Sequence, residues 1–443
     1  MSGRSSSPRS TECGFRTGWG EPVRVAANLL LRHAREVITC SGKLPTRAAK
    51  GDFDPAPLGL IEDGAVAIAD DRIVAVGRTA EVERSVSLSS GATVIDVGDA
   101  MLTPGLVDAH THSLFVGSRA GEFSLRVQGA GYAEIAAKGG GIAASVKALR
   151  GATDEALRAA LARRLDAMAR FGTTTVEVKS GYALETAQEL RSLKLARSMG
   201  DRVVPTFLGL HAVPPELRGT EDGRARYLAT VAGRMLDAVV AGGDARFIDA
   251  YVDGPGFSVA ECAPALERAK ALGLRARLHV GQFEDVGGAQ LAASLGAASA
   301  DHLEHVSDEG LRAMAAAGVT AVLLPGAAFS LGQPMPDARR MRALGVAVAL
   351  ATDCNPGTSH CDALPWMAAF GVRQMGLSTV EAWFAITATA AGCLDLGDRG
   401  RLAVGARADV AVLDLPGWEA LPYVLGSPRA LATVTGGALR RWE

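Results

Sequence analysis

Eight apolar runs of strand length, each closed by a polar or turn-forming residue, recur through the middle of this chain and limit it to very few folds. They end near His112, Lys179, His211, Asp253, His279, His302, Pro325 and Asp353. Helical stretches lie between most of them. One is predicted from Thr153, where Leu157, Leu161, Leu165 and Met168 recur at spacings of three and four and Gly172 stands where a C-terminal cap belongs. Another starts at Ser258, with Glu261 completing a capping box three residues on, and stops before Gly273. Eight strand–helix units in about 290 residues match the size of a (β/α)8 barrel. An open doubly wound sheet is the alternative. It loses because no glycine-rich phosphate loop of the Rossmann or Walker kind opens any helix.

The flanks have a different texture. Ala65–Ala69 and Ile73–Val76 flank Asp70-Asp71-Arg72, which reads as a hairpin, and Val94–Val97 is a further strand. Ala408–Leu413 and Leu431–Val434 resume that character at the other end. The expectation is an α/β chain with three parts. Residues 104–397 form a (β/α)8 TIM barrel, 23–103 and 398–443 combine into one small β-sandwich domain, and 1–22 are a disordered tail. That tail is rich in Ser, Arg and Gly and has no apolar core of a secretory signal. Glu12, Glu21 and the lack of an amphipathic pattern speak against a transit peptide.

Composition narrows the partners. Across 443 residues the formal net charge is −2, which gives no electrostatic case for nucleic acid or an anionic membrane. No apolar run reaches the ~20 residues that span a bilayer. The six cysteines are scattered, without a CxxC pair, as suits a reducing compartment. A soluble, cytoplasmic protein is expected.

The polar strand ends carry the chemistry, because a barrel builds its site at the C-terminal ends of its strands. In Leu106-Val107-Asp108-Ala109-His110-Thr111-His112 the two histidines stand at i and i+2, on one face of a strand. His279 and Asp353 end two other strands. Three imidazoles and a carboxylate make a competent site for Zn2+ or Fe2+, with water completing the shell. A lone histidine at a strand end is more often a structural residue; four ligand types at the ends of strands one, five and eight are hard to explain that way. Such a metal lowers the pKa of bound water toward ~7. Asp353 can hold the metal and also take the water proton. His302 is placed to hydrogen-bond the water or a developing oxyanion, or else to support the shell from behind. His33, His305 and His360 are expected to be surface or structural residues.

Taken in order, further motifs join these: Gly117-Ser118-Arg119 and Glu122-Phe123, Gly139-Gly140-Gly141-Ile142, Glu177-Val178-Lys179-Ser180-Gly181-Tyr182, Thr206–Ala212, Ser299–Leu303, Leu323–Gly326 and Thr352–Thr358. From Val23 onward the chain resembles the imidazolonepropionase family of the amidohydrolase superfamily. The resemblance implies hydrolysis of the cyclic amide of 4-imidazolone-5-propanoate to N-formimidoyl-L-glutamate. It implies one zinc or iron ion per chain on His110, His112, His279 and Asp353, with the substrate as a small-molecule partner and a homodimer as the assembly. Carried over by position, the substrate contacts fall on Arg119, Tyr182, His211 and Thr358, with Asn355 and Gly357 near the product. A guanidinium and a phenol suit a propionate.

Two stretches depart from the family pattern. After His279 the chain reads Val280-Gly281-Gln282, where many relatives carry an acidic stretch ending in Glu and other members carry Gln at the Gln282 position. An amide cannot act as a general base, so Gln282 is read as a binding residue and base duty falls to Asp353 or His302. The second is Phe247–Asp253, where relatives usually show a Cys and a Glu, with Asp253 as the expected substitute. Lys179 ends strand two, not the strand that bears the carboxylated lysine of two-metal relatives, so one metal is expected and Lys179 should pair with Glu177 or a neighbour. Gly139-Gly140-Gly141 is a candidate hinge. The competing functions are another cyclic amidase or an aromatic-base deaminase on the same scaffold, and a barrel that has lost catalysis. A carboxylate-binding Arg119, Tyr182 and His211 would be useless to the deaminase, and a dead barrel predicts broken metal ligands.

Overall fold

The computed structural model describes residues 24–48, 54–129, 140–426 and 428–442. The tail expected over 1–22 and Gly139 of the glycine run lie outside the described residues. Two sheets organise the chain. The first is assembled from both ends: β1 (Val25–Ile38), β2 (Leu60–Ala69), β3 (Arg72–Arg78) and β4 (Val86–Pro104) come from the N-terminal side. The second comprises β5 (Leu106–Asp108), β6 (Thr173–Lys179), β7 (Val203–Leu210), β8 (Phe247–Val252), β9 (Arg275–Val280), β10 (Ser299–His302), β11 (Thr320–Leu323) and β12 (Val348–Leu350). The chain then returns to the first sheet as β13 (Val410–Leu413), β14 (Ala430–Thr435) and β15 (Ala438–Arg441).

The terminal sheet runs β15-β14-β13-β4-β1-β2-β3. It is one mixed sheet rolled on itself. Ile73 of β3 exchanges backbone hydrogen bonds with Ala406 and Gly405, just before β13, so the far edge comes round to meet the C-terminal segment. Leu31, Val66, Ile73, Leu102, Val410 and Val434, contributed by six of its strands, share the enclosed core. The predicted hairpin is β2–β3, turning at Asp70 with φ 53°.

The eight barrel strands are all parallel and lie in chain order from β5 to β12. Parallel strands covered on both faces read as near-continuous apolar runs, which is why they were visible in the sequence. Closure falls between β5 and β12, two strands of three residues each. Asp108 supports it by accepting the Thr352 amide at 3.0 Å and the Thr352 hydroxyl at 2.5 Å. Beyond the strands the seam continues as a parallel bridge between Thr111 and Cys354: Asp353 N–H donates to His110 O and His112 N–H to Cys354 O, each at 3.0 Å. The ligand-type residues of both strands are thus held by the bonds that shut the barrel. The helices predicted from Thr153 and Ser258 are Asp154–Ala169 and Val259–Ala271, both with the expected side-chain caps. No described helix is long and apolar enough to cross a membrane.

Candidate active site

Inside the barrel mouth, alternate strand residues are charged, and each supports a neighbour. Glu177 and Lys179 on β6, Asp249 on β8, Arg277 on β9 and Asp301 on β10 are all fully buried or nearly so. The Lys179 ammonium lies 2.8 Å from Glu177 Oε1 and 2.7 Å from Asp249 Oδ2. Burial alone would lower its pKa; Asp249 and Glu177 outweigh that and raise it. Arg277 donates to the Ala109 carbonyl at 2.7 Å and stands 3.4 Å from Asp301 Oδ2. The expected pairing of Lys179 with Glu177 is therefore part of a larger network.

Two of these carboxylates face imidazoles. Asp301 Oδ2 is 2.6 Å from His110 Nδ1, and Asp249 Oδ1 is 3.0 Å from His279 Nδ1. Each fixes a tautomer that leaves Nε2 as a lone pair aimed into the site. His110 Nε2 is buried and has no hydrogen-bond partner. His112 Nε2 and His279 Nε2 lie 3.1 Å apart, and Asp353 Oδ1 sits 3.7 and 3.6 Å from the Nε2 atoms of His110 and His112. A tetrahedral ion with bonds of about 2.0–2.1 Å wants ligand atoms roughly 3.3 Å apart. The donor set fits a metal ion, and one donor atom of each of the three histidines falls within 4.8 Å of the others. Burial, then Lys179 for His110 and His211 for His112, pushes both imidazoles well below their ordinary pKa, toward the neutral form a ligand needs.

Charge supports the same conclusion. Glu177, Asp249, Asp301 and Asp353 face only Lys179 and Arg277 within this buried set, an excess of two negative charges that a divalent cation removes. Asp108, which burial raises to about 7, can only add to that excess.

Around the donors opens a cavity of about 890 Å3. Arg119, Tyr182, His211, Gln282, Asn355, Gly357 and Thr358 all line it, together with His112, His279, His302 and Asp353. His211 Nδ1 donates to Gly181 O at 2.9 Å, and its ring stacks on His112 with centroids 5.1 Å apart. Gly181 has φ 95°, and a Cβ there would come within 2.7 Å of Leu208 O, so glycine is required beneath this ring. Burial, then His279, lowers His211 to about 3, so it is neutral. Burial, then Asp353, raises the Tyr182 phenol, which stays a donor. Arg119 grips Glu122, with Nε at 2.9 Å and Nη2 at 2.8 Å from Oε2.

The Asn355 side chain is spent on its own loop. Its Oδ1 accepts the Gly357 and Thr358 amides, and its Nδ2 donates to Asp353 O at 2.7 Å. Asp253, at the tip of β8, accepts the backbone amides of Gln282, Phe283 and Glu284, and so shapes the loop after His279. Gln282 Oε1 accepts the Tyr251 hydroxyl at 3.1 Å, and the residue lines the cavity.

His302, Leu303 and Asp353 all carry positive φ (79°, 71° and 50°). Non-glycine residues held there cost about 1–3 kcal/mol each, a strain that clusters at functional sites. His302 Nδ1 faces the buried Glu304 carboxylate at 3.7 Å. Burial would lower the His302 pKa, but Glu304, Asp353 and Asp301 together raise it. His33, His305 and His360 are exposed, as expected. Asp249, Asp301, Arg277, Tyr251 and Glu304 went unrecognised as parts of the site. Alternation was the signal for some of them: Asp249/Tyr251 and Arg277/His279, like Glu177/Lys179, are i, i+2 polar pairs in strands that are otherwise mostly apolar.

A parallel barrel with a histidine-rich donor set at its mouth, joined to a small β-domain built from both termini, defines a metal-dependent hydrolase of the amidohydrolase type. The model of the amidohydrolase family matches residues 126–439. An imidazolonepropionase from Rubrobacter xylanophilus is 43% identical over 93% of this chain and 98% of its own, and one from Symbiobacterium thermophilum is 44% identical over 93% and 97%. The chain belongs to the imidazolonepropionase family. Among solved structures, an adenosine deaminase from Xanthomonas campestris with bound zinc superposes with a TM-score of 0.67 at 19% identity, covering 95% of this chain and 94% of that one, a likeness of fold.

Proposed function

We propose that the protein hydrolyses the ring amide of 4-imidazolone-5-propanoate, giving N-formimidoyl-L-glutamate, with one zinc or iron ion on His110, His112, His279 and Asp353. The observation that carries this reading is that one cavity is lined both by His112, His279 and Asp353 of the donor set and by the Arg119 guanidinium beside Gly357. A single small molecule can therefore present its ring to one and its carboxylate to the other. A bound divalent ion supplies polarisation of the ring carbonyl and acidification of water at neutral pH. Asp353 takes the proton from the attacking water and returns it to the ring nitrogen as the C–N bond breaks. His302, whose Nδ1 faces the Glu304 carboxylate at 3.7 Å, hydrogen-bonds the oxygen on which negative charge develops. Tyr182 and Arg119 bind the carboxylate, while His211 and the Gln282 amide orient the ring. Asn355 acts by shaping the loop that presents Gly357 and Thr358.

A cytoplasmic setting goes with this reading, supported by the five described cysteines, which are all unpaired. The expected homodimer is checked by sizing in solution. The deciding experiment is a spectrophotometric assay with fresh imidazolonepropionate on the native protein and on Arg119→Ala, with metal content measured in parallel. Turnover with about one metal per chain, and a loss on the order of tenfold or more in the variant, is the expected result. Bound metal without turnover would reject this substrate and point to another cyclic amide.

A further inference from the structure

Arg119, Glu122 and Arg126 stand at i, i+3 and i+7, on one face of the helix Ala120–Val127 and its N-cap. All three line the cavity. Glu122 is fully engaged: its Oε2 accepts from Nε and Nη2 of Arg119, and its Oε1 accepts the Gly141 amide at 3.1 Å. The charge of Arg119 is thus neutralised within the protein. That of Arg126 is not. Among the described residues its guanidinium meets no carboxylate; it donates from Nη2 to the neutral carbonyl of Gly357 at 2.7 Å. Summed over the three side chains, one positive charge is left over, and it belongs to Arg126.

Both guanidinium groups converge on Gly357. A Cβ there would lie 2.5 Å from Arg119 Nη1, so the bare backbone leaves room for that guanidinium, while Arg126 reaches the same residue through its carbonyl. The other cavity arginines do not compete for the role. Arg224 is paired with Glu261 at 2.5 Å, and Arg218 is an exposed residue that donates to Val213 O.

We propose that Arg126 supplies the uncompensated charge that selects an anionic substituent on the substrate, while Arg119 and Glu122 form a neutral pair that shapes its hydrogen-bonding surface. The inference rests on the proposed substrate being a ring that bears a carboxylate. Glutamine at 126 can still donate to the Gly357 carbonyl, so Arg126→Gln removes the charge and spares the loop.

The test uses 3-(imidazol-4-yl)propionate and its primary amide, which share a shape, differ by one charge and carry no ring amide to hydrolyse. Their binding is measured by calorimetry on the metal-loaded native protein, Arg126→Gln and Glu122→Gln. The native protein should prefer the acid. Arg126→Gln should weaken the acid about tenfold and leave the amide within about twofold. Glu122→Gln, which frees a second positive charge, should strengthen the acid, and added salt should shrink every one of these differences. Equal weakening of acid and amide by Arg126→Gln would assign the residue to loop shape and overturn the proposal, as would a native protein with no preference for the acid. Turnover of imidazolonepropionate is followed alongside: its failure rejects the substrate, whereas the acid–amide comparison alone decides the charge selection.

Discussion

Asp249→Asn removes one charge from the network behind the metal ligands and nothing from its volume. The two Asp249 oxygens serve two partners, His279 Nδ1 at 3.0 Å and Lys179 Nζ at 2.7 Å. An amide can satisfy one of them. With its oxygen toward His279, its NH2 meets the ammonium, donor against donor. Flipped, it donates to Nδ1 and forces the ring proton onto Nε2, the atom that faces His112 Nε2 at 3.1 Å and is required as a lone pair. Leaving a buried charge uncompensated costs about 3–5 kcal/mol. Because Lys179 keeps Glu177 at 2.8 Å, the low end, about 3 kcal/mol, is expected for the metal-free protein. Loss of the carboxylate behind a ligating imidazole should weaken metal binding about 10–100-fold, equivalent to about 1.4–2.7 kcal/mol. Zinc titration against a competing chelator reads the second quantity, and urea unfolding of the metal-free protein reads the first. A variant that binds zinc within about twofold of the native protein would show that packing alone orients His279, and the reasoning would fail.

Three further outcomes follow from the same geometry. Lys179→Met should destabilise the metal-free protein by about 3–5 kcal/mol by stranding Glu177 and Asp249, yet should not weaken zinc binding in the same titration, since it removes a repelling cation; weaker binding would refute the charge balance drawn here. Thr352→Val deletes the hydroxyl bond to buried Asp108 and should cost about 1–3 kcal/mol, with faster hydrogen exchange at the Asp353 and His112 amides of the barrel seam; unchanged exchange there would mean the seam is held by other contacts. Hydrogen bonding to Arg224 depresses Glu261 from its ordinary 4.5 to about 2, so its stabilisation is complete above pH 4.5 and is lost as pH falls toward 2. Glu261→Gln, at a partly exposed pair, should therefore cost about 0.5–1 kcal/mol by a constant amount from neutral pH down to the carboxylate range, narrowing below it. A gap that already closes near neutrality would contradict the pairing.

The strain at His302 and Asp353 fits the same picture of a site organised at the expense of local backbone comfort. Both residues sit where a barrel strand gives way to its loop: Leu303, which follows His302, donates its N–H to Val280 O of β9, and Asp353 donates its own to His110 O just beyond β5.

What the sequence alone determined is what depends on short spacings. The eight buried strands and the helix caps at Thr153 and Ser258 were legible, because strand and helix periods act over a few residues, whereas His110 and His112, expected on a strand, fall just beyond the end of β5. His279 falls within the last residues of β9, and Asp353 lies in the loop just after β12 rather than on it. The partners were not legible. His110 and Asp301 lie 191 residues apart, and Thr352 and Asp108 lie 244 apart; which carboxylate meets which imidazole is set by the register of the parallel strands and by closure of the barrel. Only the tertiary structure showed that Asn355 is consumed by its own loop, that Asp253 holds the loop bearing Gln282, and that Glu122 pairs with Arg119 while Arg126 meets no carboxylate among the described residues. A side chain's type is written in the chain, whereas its charge balance and free hydrogen-bonding capacity depend on neighbours that folding brings from elsewhere.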